Sequence, residues 1–462
     1  MTSSDLLVLG AGPAGIGAAQ RAAHRGIDVA VLDRGDAPGG TSGSYEVAGI
    51  RVDHGSHRLH RSIEPRILAE LERLLGDDLQ VRERRGRISL AGNWLAFPLR
   101  PGDLVRNLPP GFAARALWDT LTTPLRAPDA DTFAEVVRTR LGPTMLDRFY
   151  GPYAEKLWGL PPEELAGEQA RRRISADTPW KLLQRVLAGT DPEARTFRYP
   201  RHGFGQVWEA LAHDAAAAGA DVHLSTEVTA ITETADGLEV TTDRGTHHAR
   251  QVFSTLPLPL LARMWNPAPP GEVVAAAKAL RSRAMVLVHL VVEGPQWTPY
   301  DAHYLPEAWT PLTRISEPRN YRDDPTQPDD RTVLTAEVPC DVGDDVWRAD
   351  DETLRDLTLD AIAHADLPTP RVLDTVTRRL PSAYPILVPG TTERVEVLED
   401  WAATRPHLLT FGRHGLFVHD NSHHALSMAW AAVDALDADG RSVDDRRWAR
   451  SRAGFRSHVV ED

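Results

Sequence analysis

The sequence predicts an α/β fold with a Rossmann-like domain at its start, and three observations near the N-terminus lead to this prediction. The apolar run 5–9 ends in the glycine turn Gly10-Ala11-Gly12-Pro13-Ala14-Gly15. The alanine-rich segment 16–24 has the composition of a helix, and the apolar run 28–32 ends in Asp33. Strand, glycine turn, helix, strand and acid follow in the order that a dinucleotide-binding fingerprint requires.

Each part of this fingerprint has a physical task. Gly10 permits the tight turn, Gly12 lets the backbone approach a pyrophosphate, and Gly15 lets the helix pack closely on the strand. The start of the helix offers unpaired N–H groups and a partial positive charge to the phosphates. The carboxylate of Asp33 can accept hydrogen bonds from ribose hydroxyls. The sequence therefore predicts that the chain binds a nucleotide cofactor.

Composition excludes several classes of function. At 462 residues the chain is too long for one core, and roughly two to four units are expected. The net charge of -13 argues against nucleic-acid binding, and the single cysteine, Cys340, excludes an internal disulfide. No run approaches the ~20 apolar residues of a membrane span, and the N-terminus does not resemble a signal peptide. We therefore expect a cytoplasmic protein with no membrane or nucleic-acid partner. No oligomeric state is predicted.

Four segments resemble, in the same order along the chain, the flavin-binding segments of amine oxidases and protoporphyrinogen oxidases. The segment 39–43 resembles the second glycine pair that wraps FAD, and 220–231 resembles the strand that runs beside the adenosine. The segment 252–257 resembles the strand that re-enters the FAD domain, and 411–433 resembles the closing segment that meets the flavin.

This resemblance implies that the cofactor is FAD. The residues that fingerprint and resemblance together assign to FAD are Gly10, Gly12, Pro13, Ala14, Gly15, Asp33, Arg34, Gly39, Gly40, Thr41, Ser42, His57, Arg58, Val228, Thr255, Leu256, Gly412, Arg413, Asn421, Ser422 and Ala425.

Within this superfamily, the segments 153–165 and 169–174 resemble a branch shared by UDP-galactopyranose mutases and protoporphyrinogen-oxidase-like proteins. Mutases use reduced flavin as a nucleophile on a sugar, whereas the oxidases take hydride from a C–H bond. The resemblance implies an arginine clamp for the nucleotide diphosphate, but this chain has Asp177 there. A carboxylate repels a diphosphate at close range, and this departure favours an oxidoreductase.

Six residues are candidates for catalysis because the resemblance places them near the flavin and its ligand: His57, His202, Tyr384, Arg413, His419 and Asp420. A histidine can relay protons near neutral pH, but His57 could equally fix its loop through backbone hydrogen bonds. Tyr384 could lean over the flavin ring or pack in the core. Asn421 could cap the closing helix instead of binding FAD.

The histidines also suggest a metal site. His54, His57 and His60 lie three residues apart, and a second set comprises His419, His423 and His424. Gly55 and Arg58 interrupt the first set, and flavin chemistry needs no metal. We therefore expect no metal cofactor.

The expected organisation is a discontinuous FAD-binding domain made of residues 1–95, 196–270 and 385–462. A helical insertion, 96–195, and a mixed-sheet substrate domain, 271–384, interrupt it. Within the substrate domain the apolar runs 285–293 and 332–338 predict strands, and the Pro- and Asp-rich stretch 298–330 predicts loops.

The leading hypothesis is an FAD-dependent oxidase, dehydrogenase or desaturase that acts on a small polar metabolite, possibly in specialised metabolism. The rival is a redox-neutral mutase or isomerase that works through reduced flavin. A third hypothesis, an FAD-binding scaffold without turnover, is disfavoured by the number of ionisable groups near the expected site.

Overall fold

The computed structural model describes residues 2–98, 103, 106–122, 131–173, 196–455 and 458. The strands are β1 (Thr2–Leu9), β2 (Val29–Leu32), β3 (Ser44–Val47), β4 (Ile50–Asp53), β5 (Leu79–Glu83), β6 (Gly86–Leu90), β7 (Asn93–Phe97), β8 (Thr196–Pro200), β9 (Asp221–His223), β10 (Val228–Glu233), β11 (Leu238–Thr242), β12 (Gly245–Ser254), β13 (Trp265–Asn266), β14 (Arg281–Glu293), β15 (Ala302–Tyr304), β16 (Arg314–Ser316), β17 (Arg331–Cys340), β18 (Val372–Ile386) and β19 (Leu408–Thr410).

The helices are α1 (Pro13–His24), α2 (Pro65–Leu75), α3 (Pro110–Thr122), α4 (Phe133–Arg140), α5 (Gly151–Trp158), α6 (Gly167–Arg173), α7 (Gln206–Ala217), α8 (Leu258–Met264), α9 (Gly271–Ala279), α10 (Asp345–Arg348), α11 (Asp351–His364), α12 (Thr391–Ala403), α13 (Gly412–Gly415), α14 (Ser422–Asp434) and α15 (Asp445–Phe455). Shorter helical turns cover Gly40–Ser42, Gly76–Asp78, Pro143–Met145, Leu146–Tyr150 and Pro318–Tyr321.

The first sheet contains the strand that leads into the glycine turn. Its strands lie in the order β13-β10-β11-β12-β1-β2-β9, and β19 pairs with β12 outside this path. Strand β1 runs parallel to both of its neighbours, β2 and β12. The carboxyl end of β1 therefore opens at the middle of a parallel region, which is where α/β folds bind their ligands.

Helices cover both faces of this sheet, which explains why β1 is apolar at successive positions instead of alternating. Helices α1, α7 and α14 pack on one face, where Ile16, Trp208 and Met428 share a core. Helices α8, α9 and α12 pack on the other face, where Leu261 and Leu398 are buried. This three-layer arrangement confirms the predicted α/β class.

The second sheet is mixed and has the order β18-β14-β17-β16-β15-β6-β7. Strands β15 and β6 are parallel, and the other neighbours are antiparallel. Helix α11 covers part of it through Leu354 and Ile362. Strands β14 and β17 confirm the two strands that the apolar runs predict.

The loops predicted over 298–330 are a partial error, because β15 and β16 lie within that stretch. Each has three residues, too few to show an alternating pattern against the surrounding prolines and aspartates. The hairpin β6–β7 also joins the second sheet, although most of it precedes the expected boundary at residue 95.

The described part of the insertion is helical, as the sequence predicts. Thr132 and Glu135 form a capping box at the start of α4, and Phe133, Leu157 and Trp158 lie in one buried cluster. Within the described ranges, no helix combines the length and apolar character needed to cross a bilayer.

Candidate active site

A cavity of about 720 Å³ lies where the two sheets meet. Its walls come from the loops after β1, β2 and β12, from the start of α14, and from β15, β16 and β18. The same cavity is therefore reached both by the glycine turn and by side chains of the second sheet.

The glycine turn forms one wall of this cavity. A Cβ atom at Gly15 would lie 1.7 Å from the carbonyl oxygen of Gly10, so glycine is required there for the helix to pack on the turn. A Cβ at Gly12 would meet nothing within 4 Å, because the residue faces open space. Gly12 is also the N-cap of α1, and no side chain caps the helix. The first N–H groups of α1 are left for an anion in the cavity.

The acid after β2 is held in a fixed position. Oδ2 of Asp33 accepts a hydrogen bond from the N–H of Ala11 at 2.6 Å, and Oδ1 accepts one from the N–H of Gly35 at 2.6 Å. Each carboxylate oxygen retains capacity for a further hydrogen bond. Asp33 lines the cavity beside Arg34, so the carboxylate can accept hydrogen bonds from a ribose there.

The second glycine pair is folded against the first turn. The N–H of Gly39 donates to the carbonyl of Ala11 at 2.8 Å, and Gly39 has a φ of 111°. A Cβ at Gly39 would lie 2.7 Å from Cδ1 of Trp208, so both conformation and packing require glycine. Gly40 and Thr41, which follow, line the cavity.

The closing segment also lines the cavity, next to the glycine turn. Gly412 packs so closely on α1 that a Cβ there would lie 2.7 Å from Cβ of Ala14. Asn421 stands at the N-cap of α14, but its side chain makes no capping hydrogen bond. Asn421, Ser422 and Ala425 all face the cavity, which agrees with cofactor binding more than with capping.

His57 lies on the cavity wall with one face of its ring against Phe204, at a centroid distance of 5.4 Å. Its Nε2 lies 3.0 Å from the carbonyl oxygen of Thr41, which can only accept a hydrogen bond. Burial lowers the pKa of His57 and so favours the neutral imidazole. With the proton on Nε2, the lone pair of the neutral ring is on Nδ1.

Tyr384, Arg413 and His419 form a group at the cavity. The rings of Tyr384 and His419 are 5.1 Å apart, and the guanidinium of Arg413 lies 5.5 Å from the centroid of the Tyr384 ring. Arg413 donates a hydrogen bond to the carbonyl of Ala383, which fixes it beside β18. Tyr384 lies in β18, Arg413 lies in α13, and His419 lies in the loop before α14. The structure thus brings together residues from three different places in the chain.

Further arginines line the cavity, and most of them have partners. Arg58 lies 3.4 Å from Asp301, and Arg314 forms an ion pair with Glu337. Arg379 donates to the carbonyls of Trp347 and Ala349. The guanidinium of Arg378 lies over the ring of Tyr45 at 5.3 Å, and no described carboxylate or carbonyl pairs with it.

The cavity lining brings together most of the residues that the sequence assigns to the site. These are Gly10, Gly12, Pro13, Ala14, Asp33, Arg34, Gly40, Thr41, Ser42, His57, Arg58, Val228, Thr255, Leu256, Tyr384, Gly412, Arg413, His419, Asp420, Asn421, Ser422 and Ala425.

Three of the predicted site residues lie outside this lining. Gly15 and Gly39 stand behind it, where they allow close packing. His202 is directed elsewhere: its Nδ1 lies 3.4 Å from Oδ2 of Asp324, and its side chain is 38% exposed. Asp177, on which the comparison with the mutases rests, falls outside the described residues.

Among the cavity residues of the second sheet, sequence reasoning identified Tyr384 but missed others, including Tyr304, Arg314 and Arg378. The first two lie on the short strands within the stretch predicted as loops. Arg378 is one of two adjacent arginines on β18, a pattern that does not indicate which side chain reaches a cavity.

These features fit FAD. The open space at Gly12, the uncapped start of α1 and the fixed carboxylate of Asp33 provide for a pyrophosphate and a ribose. The cavity continues to the second sheet and so has room for a ring system and a second molecule.

The fold resembles those of several solved enzyme structures at low sequence identity. Reduced UDP-galactopyranose mutase matches with a TM-score of 0.82 and 21% identity, covering 99% of this chain and 100% of the other. A provisionally assigned protoporphyrinogen oxidase from Exiguobacterium sp. 255-15 matches with 0.72 and 19%, covering 94% and 98%. Cyclohexylamine oxidase from Brevibacterium oxydans matches with 0.63 and 18%, covering 92% and 98%. No curated protein matches the chain.

The profile of one protein family, described as flavin containing amine oxidoreductase, matches residues 13–432. This match begins within the glycine turn, covers every described strand after β1 and almost all of α14, and it confirms FAD as the cofactor of an oxidoreductase. The chain belongs to the flavin-containing amine oxidoreductase family.

Proposed function

We propose that this enzyme is an oxidase, dehydrogenase or desaturase that takes hydride from a small polar metabolite bound beside the flavin. The observation that carries the proposal is that His57, Tyr384, Arg413 and His419 line the same cavity as the nucleotide-binding turn. These groups can bind, orient and deprotonate a substrate, and a cofactor-binding scaffold without turnover would have no use for them.

FAD, when bound, accepts a hydride from a C–H bond of the substrate. The residues assigned to it are those of the glycine turn, Asp33, the segment 39–42 and the start of α14. In this arrangement the first sheet holds the cofactor and the second sheet holds the substrate. The segments 1–95, 196–270 and 385–462 would then supply most of the cofactor domain.

Oxidation at a carbon that carries nitrogen or oxygen removes a hydride and a proton. The hydride leaves with both electrons of the C–H bond, and the proton leaves from the neighbouring heteroatom. His57 is suited to accept that proton, because its neutral ring has a free lone pair on Nδ1. Tyr384 and Arg413 are suited to orient the polar end of the substrate, since both are fixed at the side of β18.

A redox-neutral mutase is the second candidate, because the fold matches a UDP-galactopyranose mutase over nearly the whole chain. Two of the cavity arginines are poorly available to that substrate. A nucleotide diphosphate needs uncompensated cations, but Arg314 is already paired with Glu337 and Arg58 lies beside Asp301, which leaves Arg378 as a cavity arginine without a described carboxylate. The sequence adds a second argument, because it has Asp177 where the resemblance to the mutases implies an arginine that binds the diphosphate.

The two candidates differ in what the flavin does. Purified enzyme is mixed anaerobically with amines, amino acids and other polar metabolites, and loss of the oxidised-flavin absorbance is followed. We expect bleaching with at least one class of donor. In a parallel sample, dithionite-reduced enzyme is incubated with UDP-galactopyranose. Formation of the furanose isomer there, without bleaching in the first experiment, would contradict the proposal.

A further inference from the structure

The start of α14 and the chain after α15 form a cluster of possible metal ligands, which we call the His–Asp cluster: Asp420, His424 and His458. Oδ2 of Asp420 lies 3.1 Å from Nδ1 of His458, and Oδ1 of Asp420 lies 3.9 Å from Nδ1 of His424. One ligand atom from each of the three residues falls within 4.8 Å of the other two.

Two buried polar atoms of the cluster make no hydrogen bond within the part of the chain that the structure describes. Asp420 is 3% exposed. Its Oδ1 and the Nδ1 of His424 are shielded from solvent, and neither has a hydrogen-bond partner among the described residues. A buried polar atom without a partner costs about 1–3 kcal/mol, so an occupant that bonds to both atoms would be favoured.

The spacing of the ligand atoms suits a small cation. Ligands bound tetrahedrally at about 2.0–2.2 Å stand roughly 3.4 Å from one another. The two separations at Asp420, 3.1 and 3.9 Å, lie on either side of that value. The rings of His424 and His458 stack with centroids 4.2 Å apart, so one imidazole must turn about its Cβ–Cγ bond to direct its nitrogen to the shared point.

The local structure explains why these residues meet. Asp420 and His424 are four positions apart across the start of α14, a spacing that places two side chains on one helical face. Helix α15 packs against α14 and brings His458 to the same place. This set differs from the two histidine groups that the sequence suggests, because His458 is remote in sequence and Asp420 supplies the carboxylate.

We infer that Asp420, His424 and His458 bind one divalent transition-metal ion, for which Zn²⁺ is the best match. Two imidazoles and one carboxylate suit Zn²⁺, whereas Mg²⁺ and Ca²⁺ prefer oxygen ligands. His424 and His458 do not line the cofactor cavity, so the ion would have a structural role and would cross-link two parts of the chain. It would join the chain after α15 to the start of the helix that presents Asn421 and Ser422 to the cofactor.

The test uses the FAD-containing protein after dialysis against a chelator. Zn²⁺ is titrated by calorimetry, and bound metal is measured after gel filtration. We expect one Zn²⁺ per chain. His424→Ala and His458→Ala should each weaken binding at least tenfold, since each removes a direct ligand. His247→Ala is the matched control, because His247 and His223 form another histidine pair, with ring centroids 5.4 Å apart.

Thermal unfolding supplies a second readout. A ligand that binds only the folded state raises the unfolding midpoint, so Zn²⁺ should raise it in the wild type and in His247→Ala but not in His458→Ala. Flavin absorbance and circular dichroism verify that each variant is folded. Absence of Zn²⁺ binding in the wild type would overturn the inference and would assign the space to a buried water. Unchanged affinity in both ligand variants would also overturn it.

Discussion

Arg314 and Glu337 face each other across strands β16 and β17 and form a buried ion pair, with Nη2 of Arg314 2.5 Å from Oε1 of Glu337. The same Oε1 accepts a hydrogen bond from the N–H of Ser56 at 3.1 Å. The pair therefore links the second sheet to the loop that carries His57. It also means that the positive charge of Arg314 is compensated inside the cavity.

Removing one member of this pair should destabilise the fold. Arg314→Met leaves the carboxylate of Glu337 buried without its cation, which typically costs about 3–5 kcal/mol. The exposed pair Arg371–Glu293 is the control, and Arg371→Met should change stability by about 1 kcal/mol or less. Urea unfolding of both variants measures the difference. Equal effects would show that the buried pair contributes no more than a surface one.

Gly12→Asp should abolish FAD binding and leave the protein folded. A Cβ atom at residue 12 would meet no protein atom within 4 Å, so the apoprotein has space for the start of a side chain there. The new carboxylate would stand where the pyrophosphate is expected and would repel it. Gly271→Asp, at the exposed start of α9, is the control and should purify yellow. Normal FAD content in Gly12→Asp would refute the assigned binding mode.

His57→Ala and His419→Ala should slow flavin reduction by the true substrate without loss of FAD. General-base and orienting groups typically contribute about 10²–10⁴-fold in rate. His213→Ala, on the exposed side of α7, should reduce at the wild-type rate. Anaerobic stopped-flow absorbance measures the three rates. If both cavity variants matched the wild type, their histidines would have only a structural role.

Lys156 should make stability depend on pH. Its Nζ donates to the carbonyls of Leu305 and Leu312, and burial lowers its pKa from 10.5 to about 7. Between about pH 7 and 10.5 the unfolded chain binds one more proton than the folded chain at this residue. Lys156 therefore destabilises the fold most below about pH 7, and this penalty shrinks as pH rises through the range, by up to about 1.4 kcal/mol per pH unit.

The check on Lys156 is a comparison with Lys156→Met, which has no titrating group. Urea unfolding is measured for both proteins between pH 7 and 9.5. The free energy of unfolding of the wild type, relative to the variant, should increase across this range. A difference that stays constant with pH would mean that Lys156 titrates normally in the folded protein.

The cofactor side of the site was predictable because it depends on local sequence. The glycine turn, Asp33 and the closing segment belong to short motifs. Their residues are close in sequence, so the pattern can be recognised without knowledge of the tertiary structure. In the structure these segments line one cavity, and Gly412 packs against Ala14 there.

The substrate side was less predictable because it depends on tertiary structure. Strands β15 and β16 are too short to show a pattern, and they form only because neighbouring strands complete their hydrogen bonds. The sequence therefore did not reveal Arg314 as a cavity residue. The direction of the His202 side chain also depends on tertiary structure. His202 lies in the loop after β8, and its imidazole is directed towards Asp324 and not into the cavity.

The most direct test of the central claim is a count of electrons in a single anaerobic turnover. Enzyme with bound FAD is mixed with an excess of each candidate substrate, and product and reduced flavin are both quantified. The account predicts one oxidised product per flavin reduced, and a slower reduction when the transferred hydrogen is replaced by deuterium. Product formed in excess over flavin, with the flavin returning unchanged, would contradict it and would indicate redox-neutral chemistry.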